Sequence, residues 1–132
     1  MKVLVDTSVW SLALRRGGDS TLGPVRELRS LIADNRVQMI GAIRQELLSG
    51  IRDEGQFNEL EARLSAFPDL PGSSEDHVMA ARFYNECRGK GVQGSNTDFL
   101  ICAVAVRHRL AIFTTDKDFA LFAKHLPIVL HR

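Results

Sequence analysis

The sequence predicts an α/β protein whose central sheet is mostly parallel. Short apolar segments with the composition of β-strands alternate with longer segments in which apolar residues recur at helical spacing. In places several predicted helices separate two strands, a pattern that indicates a parallel sheet with helices packed against it. The chain has 132 residues, of which 45% are hydrophobic and 25% charged, and this suits one globular domain over residues 1–132.

The first predicted strand is followed directly by a helix. Residues 2–5 (KVLV) are largely apolar and predict a short strand. The helix covers residues 8–16, and the hydroxyl group of Thr7 or Ser8 is suited to cap its first turn. The pair Gly17-Gly18 predicts where this helix ends.

Three helices and one strand come next. A second helix fits residues 21–35, with Pro24 in its first turn, where proline is well tolerated. Residues 37–40 (VQMI) predict the second strand. The helix after this strand runs through AIRQELLSG and ends near Gly50, and another helix covers residues 55–67.

The last third of the chain contains a strongly apolar helix. Residues 73–91 predict a helix that opens with a serine cap and closes on glycines. Residues 98–110 predict another helix, and because residues 99–106 are all apolar we expect it to be buried. The remaining predicted elements are a strand over 110–115, a helix over 116–125 and a strand over 127–130.

Composition argues against a membrane protein. No apolar stretch approaches the roughly 20 residues that span a bilayer, and the few residues before Asp6 are too short for a signal peptide. We therefore expect a cytoplasmic protein, in which Cys87 and Cys102 are reduced core thiols. The net charge of +1 neither requires nor excludes nucleic acid. Arginine supplies 13 of the 17 basic residues, which is compatible with a phosphate-rich partner but is also explained by codon usage.

Acidic residues interrupt apolar segments at several predicted element ends. Asp6 breaks the run VLVDTSVW at the end of the first strand, and Asp116 follows the strand over 110–115, with Asp118 two residues later. Asp98 opens the buried helix, and Glu46 lies on the helix after the second strand. Because ligands of open α/β sheets bind beyond the carboxyl ends of the strands, we expect at least two of these acids to share one sheet edge.

Each acid taken alone has a simpler explanation, such as a helix cap, a favourable charge at a helix N-terminus or an ordinary surface position. Taken together, these acids predict a shared binding site. Carboxylates that converge on one edge repel one another and raise each other's pKa, and a hard divalent cation removes that repulsion. Ligand sets made only of oxygen atoms suit Mg²⁺ or Mn²⁺.

Four segments, in this order, resemble the PIN-domain ribonucleases, and within them the VapC-type toxins of bacterial toxin–antitoxin systems. The segments are VLVDTSVW, AIRQELLSG, SNTDFLICAVAVRHRLAIFTTDKDF and PIVL. Residues 52–94 match only in length and helical character. The resemblance implies a three-layer α/β/α fold around a mostly parallel sheet of about four to five short strands.

The resemblance also implies roles for single residues. The acids that match the family's metal-binding and catalytic positions are Asp6, Glu46, Asp98 and Asp116. The residues that match auxiliary positions are Asp118, Thr7 and Thr115, with Asn96 as a further polar contact. The implied cofactor is Mg²⁺ or Mn²⁺, which would supply hydroxide from a bound water and leave a 5′-phosphate on the cleaved RNA.

The resemblance implies three kinds of partner. The substrate would be RNA, for which Arg15, Arg16, Arg44 and Arg52 are candidate contacts by their placement. Inhibition would come from a small antitoxin that carries a DNA-binding domain, and a second copy of the chain would complete a homodimer. The helices after the first strand carry more apolar side chains than one thin sheet can cover, so we expect some of them to form an exposed groove for the antitoxin.

Two other phosphotransfer families fit less well. A phosphatase of the HAD type needs a second aspartate two residues after the first, where this chain has Ser8. A response-regulator receiver needs paired acids around its first strand and a lysine at the end of a late strand, and neither is evident. A PIN-like interaction module without catalysis is the remaining alternative, and it would show no affinity for Mn²⁺.

Overall fold

The structure is a computed structural model that describes residues 1–15 and 20–132. Within these residues it contains three strands, which are β1 (Val3–Val5), β2 (Val37–Gln38) and β3 (Ala111–Phe113). The helices within the same residues are α1 (Thr7–Leu14), α2 (Gly23–Ala33), α3 (Gly41–Leu48), α4 (Glu54–Leu64), α5 (Ser74–Gly89), α6 (Asn96–Arg107) and α7 (Asp118–Phe122).

The three strands form one parallel sheet in the order β2-β1-β3. Val3 of the central strand pairs with Val37 on one side and with Ala111 on the other. Two single parallel bridges extend the sheet at its edges, one between Met39 and Asp69 and one between Ile112 and Leu130. The predicted parallel α/β sheet is confirmed.

The sheet of the described residues has fewer strands than the four to five that we expected. The segment over 127–130 contributes one bridge instead of a full strand. Ile112 donates its backbone N–H to Val129, and His131 donates its own to Ile112, so pairing is limited to this one strand residue. Pro127 lacks an N–H group and cannot extend the ladder at its own position.

Helices cover both faces of the sheet. The side chains of Val3, Leu4 and Val5 are fully buried although they alternate between the two faces. The three residues of β3 are buried in the same way. A sheet that is buried on both sides requires a helical layer on each, so the molecule has the predicted three layers.

The helix α6 forms the centre of the core and packs along α5. Its side chains from Phe99 to Ala105 are buried apart from Leu100, as the apolar run predicts. It begins two residues before the predicted start, because Ser95 acts as its N-cap. The predicted serine cap of α5 is Ser73. Cys87 and Cys102 lie buried between these helices as free thiols, and burial raises the pKa of each.

The start of α1 differs from the prediction. Asp6 occupies the N-cap position without a side-chain cap hydrogen bond, and Thr7 is the first helical residue, so neither Thr7 nor Ser8 caps the helix. The reason is that the Asp6 carboxylate and the Ser8 hydroxyl bind each other and a distant strand end. The helix ends at Leu14, and the predicted end at Gly17-Gly18 lies outside the described residues.

Many of the apolar residues on the helices after the first strand, of which we expected only some to form an exposed groove, belong to the core. The buried ones are Val9, Trp10, Val25, Leu28, Leu31 and Leu47. Ile32 is 39% exposed, and Leu12, Leu14, Leu48 and Ile51 are half-buried.

None of the helices within the described part of the chain is both long enough and apolar enough to cross a bilayer.

Candidate active site

Asp6 lies at the carboxyl end of the central strand and is almost fully buried. Its backbone N–H donates to the carbonyl of Phe113 at 2.8 Å, so the end of β1 is fixed to the end of β3. Its Oδ2 atom accepts hydrogen bonds from the hydroxyl groups of Ser8 at 2.9 Å and Thr114 at 2.8 Å. Among residues 1–15 and 20–132, no donor reaches the other oxygen, Oδ1. This oxygen is therefore available to a ligand.

The two hydroxyl groups that hold Asp6 are themselves oriented by the backbone. The Ser8 oxygen accepts the N–H of Thr115 at 3.1 Å, and the Thr114 oxygen accepts the N–H of Asp116 at 2.9 Å. Because each oxygen accepts a backbone donor, its own proton is free to point at Asp6. Sequence reasoning named Thr115, which contributes its backbone, and missed the side chains of Ser8 and Thr114. Only their small polar character signalled them.

Asp98 occupies the first turn of α6. One carboxylate oxygen, Oδ2, accepts the backbone N–H of Ser95 at 3.1 Å, and the Asp98 N–H donates to the Ser95 hydroxyl at 3.0 Å. Burial raises the pKa of Asp98, the hydrogen bonds with Ser95 lower it, and the negative charges of Asp6 and Asp116 raise it further, for a net upward shift. The structure therefore brings the carboxylates of Asp6, Asp98 and Asp116 within electrostatic reach of one another.

Asp116 and Asp118 lie where the chain leaves β3. Asp116 is half-buried, and its Oδ1 atom accepts the backbone N–H of Asp118 at 2.9 Å. Asp118 is exposed at the first residue of α7. The charge of Asp116 acts on Asp98, while the backbone N–H of Asp118 holds one carboxylate oxygen of Asp116.

Glu46 flanks this group from α3. It is exposed, and its Oε1 atom accepts the hydroxyl of Thr7 at 2.6 Å. Since Thr7 directly follows Asp6, this hydrogen bond fixes Glu46 beside the end of β1. Asn96 is exposed at the first residue of α6, two residues before Asp98.

The donor set suits a hard divalent cation that keeps part of its water shell. Within the described residues, no group of three or more His, Cys, Asp or Glu side chains is close enough to form a ready-made metal cage. Mg²⁺ does not need one, because proteins commonly bind it through one or two carboxylates together with several waters. The spare oxygen of Asp6 and the carboxylates of Asp98 and Asp116 are oxygen groups of the kind that such an ion accepts.

Only some of the candidate RNA-contacting arginines are free to take that role. Arg44 forms an ion pair with Asp69 at 2.9 Å and donates to the backbone carbonyls of Leu64 and Phe67. It therefore ties α3 to the segment after α4, so its guanidinium is already paired within the chain. Arg15 and Arg52 are exposed, and Arg16 lies outside the described residues.

A family model and two named relatives each match most of the chain. The PIN domain model matches residues 3–125. The chain is 35% identical over 125 residues to ribonuclease VapC11 of Mycobacterium tuberculosis and to VapC ribonuclease Mb1587 of Mycobacterium bovis, covering 92% of this chain and 92% of each relative.

Solved structures share the fold at lower identity. FitAcB from Neisseria gonorrhoeae has a TM-score of 0.78 and 24% identity over 98% of this chain and 96% of that one. VapBC2 from Rickettsia felis, bound to a promoter DNA fragment, has a TM-score of 0.79 and 20% identity over 99% and 98%. VapBC-5 from Mycobacterium tuberculosis, a member of the VapBC family of toxin–antitoxin systems, has a TM-score of 0.72 and 23% identity over 99% and 98%.

Proposed function

The chain belongs to the PIN-domain family, and from this premise we propose that it is a metal-dependent endoribonuclease that acts as the toxin of a toxin–antitoxin pair. The family and the VapC relatives support an enzyme that hydrolyses RNA. The acids at the carboxyl end of the parallel sheet support the metal, and they lie where ligands of such sheets bind.

One comparison within the molecule carries this proposal. Asp76 and Asp98 occupy equivalent capping positions in α5 and α6. The remaining oxygen of Asp76 binds the guanidinium of Arg107, with His108 at 3.3 Å. The remaining oxygen of Asp98 has no partner within the described residues, and the nearby charges are those of two more acids. A cluster of carboxylates without an internal cation is the arrangement that a bound divalent cation would neutralise.

The residues of the site have different roles in the proposed reaction. Asp6, Asp98 and Asp116 would hold Mg²⁺ or Mn²⁺, with Glu46 contributing directly or through water. When bound, the ion would supply hydroxide from water near neutral pH and neutralise the charge that develops on the phosphate. The hydroxyls of Ser8 and Thr114 keep one oxygen of Asp6 occupied, so the other stays directed at the ligand. Hydrolysis in this manner leaves a 5′-phosphate and a 3′-hydroxyl.

The proposal is tested by removing one charge at a time. We expect D6N and D98N to lose Mn²⁺ binding, measured by calorimetry, together with cleavage of a single-stranded RNA. D34N is the matched control, because Asp34 is exposed just before β2, at the opposite edge of the sheet. Wild-type cleavage by D6N or D98N would refute the site. A wild-type protein with no Mn²⁺ affinity would instead favour the non-catalytic interaction module.

A small apolar pocket between α1, α2 and α4 supports the antitoxin partner. It has a volume of about 180 Å³ and is lined by Trp10, Leu28, Leu64 and Phe67 among others. Trp10 is 3% exposed, and its indole N–H is buried without an acceptor among the described residues. A segment that brings both an apolar side chain and a backbone carbonyl would satisfy this donor.

We propose that an amphipathic antitoxin segment fills this pocket and extends a basic residue toward the acids. Co-expression with the neighbouring small reading frame and purification through a tag on one chain tests this. W10F removes the N–H group and also puts a smaller ring in the core, so we expect weaker recovery of the complex and some loss of stability, and the fraction folded is measured in parallel by circular dichroism. Recovery of the tagged chain alone, fully active, would contradict the partner.

We further propose that residues 1–132 form a single PIN-like domain that acts in the cytoplasm as a homodimer. Two-fold dimers are the commonest oligomers, and several half-exposed apolar side chains are available for one. Light scattering after size-exclusion chromatography measures the mass directly, and a monomer at micromolar concentration would refute the dimer.

A further inference from the structure

Two helices of this protein open with the same local motif, G-S-x-x-D. Gly72, Ser73 and Asp76 precede and begin α5, while Gly94, Ser95 and Asp98 precede and begin α6. Both serine–aspartate pairs form complete capping boxes, in which the serine N–H donates to the aspartate at 3.0 Å in α5 and 3.1 Å in α6. Since the local hydrogen bonds are the same, differences between the two motifs come from what packs against them.

The two glycines differ sharply in their surroundings. A Cβ atom placed on Gly72 would meet no atom within 4 Å. A Cβ atom placed on Gly94 would lie 2.6 Å from Cζ of Phe122 and 3.0 Å from Cε2 of Phe99. Carbon atoms that are not bonded stay about 3.5 Å or more apart, so a side chain at 94 has no room unless a ring moves. Gly94 therefore lies in a slot between two aromatic rings.

The rings of this slot have little freedom to move. Phe99, Phe119 and Phe122 are all fully buried. The ring of Phe122 lies 4.9 Å from that of Phe99 and 5.2 Å from that of Phe119, measured between centroids. Packed interiors yield to an added methyl group by shifting backbone and side chains together. An alanine at 94 would displace the loop before α6 more easily than it would displace the aromatic cluster.

The slot connects two of the site acids. Phe99 follows Asp98 directly on α6, and Phe122 belongs to α7, the helix that begins two residues after Asp116. The contact of Gly94 with both rings therefore sets how closely the N-terminus of α6 approaches the start of α7.

We propose that Gly94 is a positioning residue for the metal site: its lack of a side chain seats the Ser95–Asp98 turn against Phe122 and thereby sets the separation of the Asp98 and Asp116 carboxylates. This inference rests on the proposed function, because it concerns the same acids. Gly94 has no side chain, so its proposed role depends only on the space that it leaves for Phe99 and Phe122.

The experiment compares G94A with G72A, which adds the same methyl group to the matched motif. Mn²⁺ affinity is measured by calorimetry at 25 °C, and the fraction folded by circular dichroism in the same buffer. We expect G94A to bind Mn²⁺ about tenfold more weakly, the lower end of the effect of residues that orient metal ligands. G72A should bind as the wild type does. In G94A/F122L the shortened side chain makes room for the methyl group, so this double variant should recover most of the affinity.

A second variant, F122Y, adds one oxygen at Cζ and fills the same slot from the opposite side. It should also weaken Mn²⁺ binding. Wild-type affinity in a folded G94A, or no recovery in G94A/F122L, would overturn the positioning role. So would loss of folding in both G94A and F122Y, because the slot would then serve the whole domain. If the wild type itself shows no Mn²⁺ affinity that D98N removes, the proposed function fails and not this inference alone.

Discussion

The matched aspartates of α5 and α6 give the sharpest test of the electrostatics, because one substitution should have opposite effects at the two positions. Asparagine keeps an oxygen that can accept the serine N–H of the capping box, so D76N and D98N both retain the cap and lose one negative charge. Asp76 is 1% exposed and binds Arg107, whereas Asp98 is half-buried and repelled by two acids.

The expected magnitudes follow from these partners. Breaking a buried ion pair costs about 3–5 kcal/mol. Arg107 is 24% exposed and keeps a second partner, Glu75, at 2.7 Å, so we expect the lower cost of about 2 kcal/mol for D76N. For a chain of this length that corresponds to a fall in melting temperature of roughly 6–10 °C. D98N removes a repulsive charge, so its stability should be unchanged or higher by up to about 1 kcal/mol.

Urea unfolding followed by circular dichroism measures both variants in metal-free buffer with EDTA at pH 7. The comparison needs no RNA and no metal, so it is independent of the proposed activity. Equal losses of stability in D76N and D98N would refute the reasoning, because they would show that Asp98 is stabilised by its surroundings as Asp76 is.

Three further predictions follow from the same geometry. D118N should reduce RNA cleavage less than D116N, since Asp118 contacts Asp116 through its backbone N–H, which asparagine retains; equal losses in initial rate would place Asp118 among the ligands. Burial raises the pKa of Asp76, but the hydrogen bonds and charge of Arg107 outweigh this and lower it overall. Its stabilising effect is therefore present above its unfolded pKa of about 4 and lost as the pH falls through the lower folded value, so D76N should flatten the acid limb of a stability–pH curve. S8A should weaken Mn²⁺ binding roughly tenfold while S8T restores it, because threonine also supplies a hydroxyl, and unchanged binding by S8A in calorimetry would show that Thr114 alone orients Asp6.

Elements with local signals were the ones that the sequence allowed us to predict. The buried helix α6 follows from an uninterrupted apolar run, and the Ser73 cap follows from the residue type and its position. The final strand could not be predicted correctly, because its apolar composition is typical of a strand while the structure limits its pairing with β3 to one bridge.

In the candidate site, too, local signals could be predicted from the sequence, whereas contacts between distant residues could not. Acids at strand ends are visible in a sequence, and the structure brings Asp6, Asp98 and Asp116 together. The hydroxyl of Thr114 reaches Asp6 across the sheet, however, and nothing near Thr114 in the sequence distinguishes it from Thr115. Ser8 does not take the capping role that its position predicts, because its hydroxyl donates to Asp6 and accepts the backbone N–H of the distant Thr115.

The pairing of β1 with β3 also determines when the site can form during synthesis. Asp6 and Thr114 are 108 positions apart in the chain, and the strand between β1 and β3 in the sequence, β2, pairs with the other side of β1. A nascent chain that stops before residue 114 can pair β1 with β2 but lacks the Thr114 hydroxyl that helps to hold Asp6. Contacts between such distant residues also slow folding, because a long loop must close before they form. Almost the whole chain must therefore be synthesised before Asp6, Asp98 and Asp116 can meet.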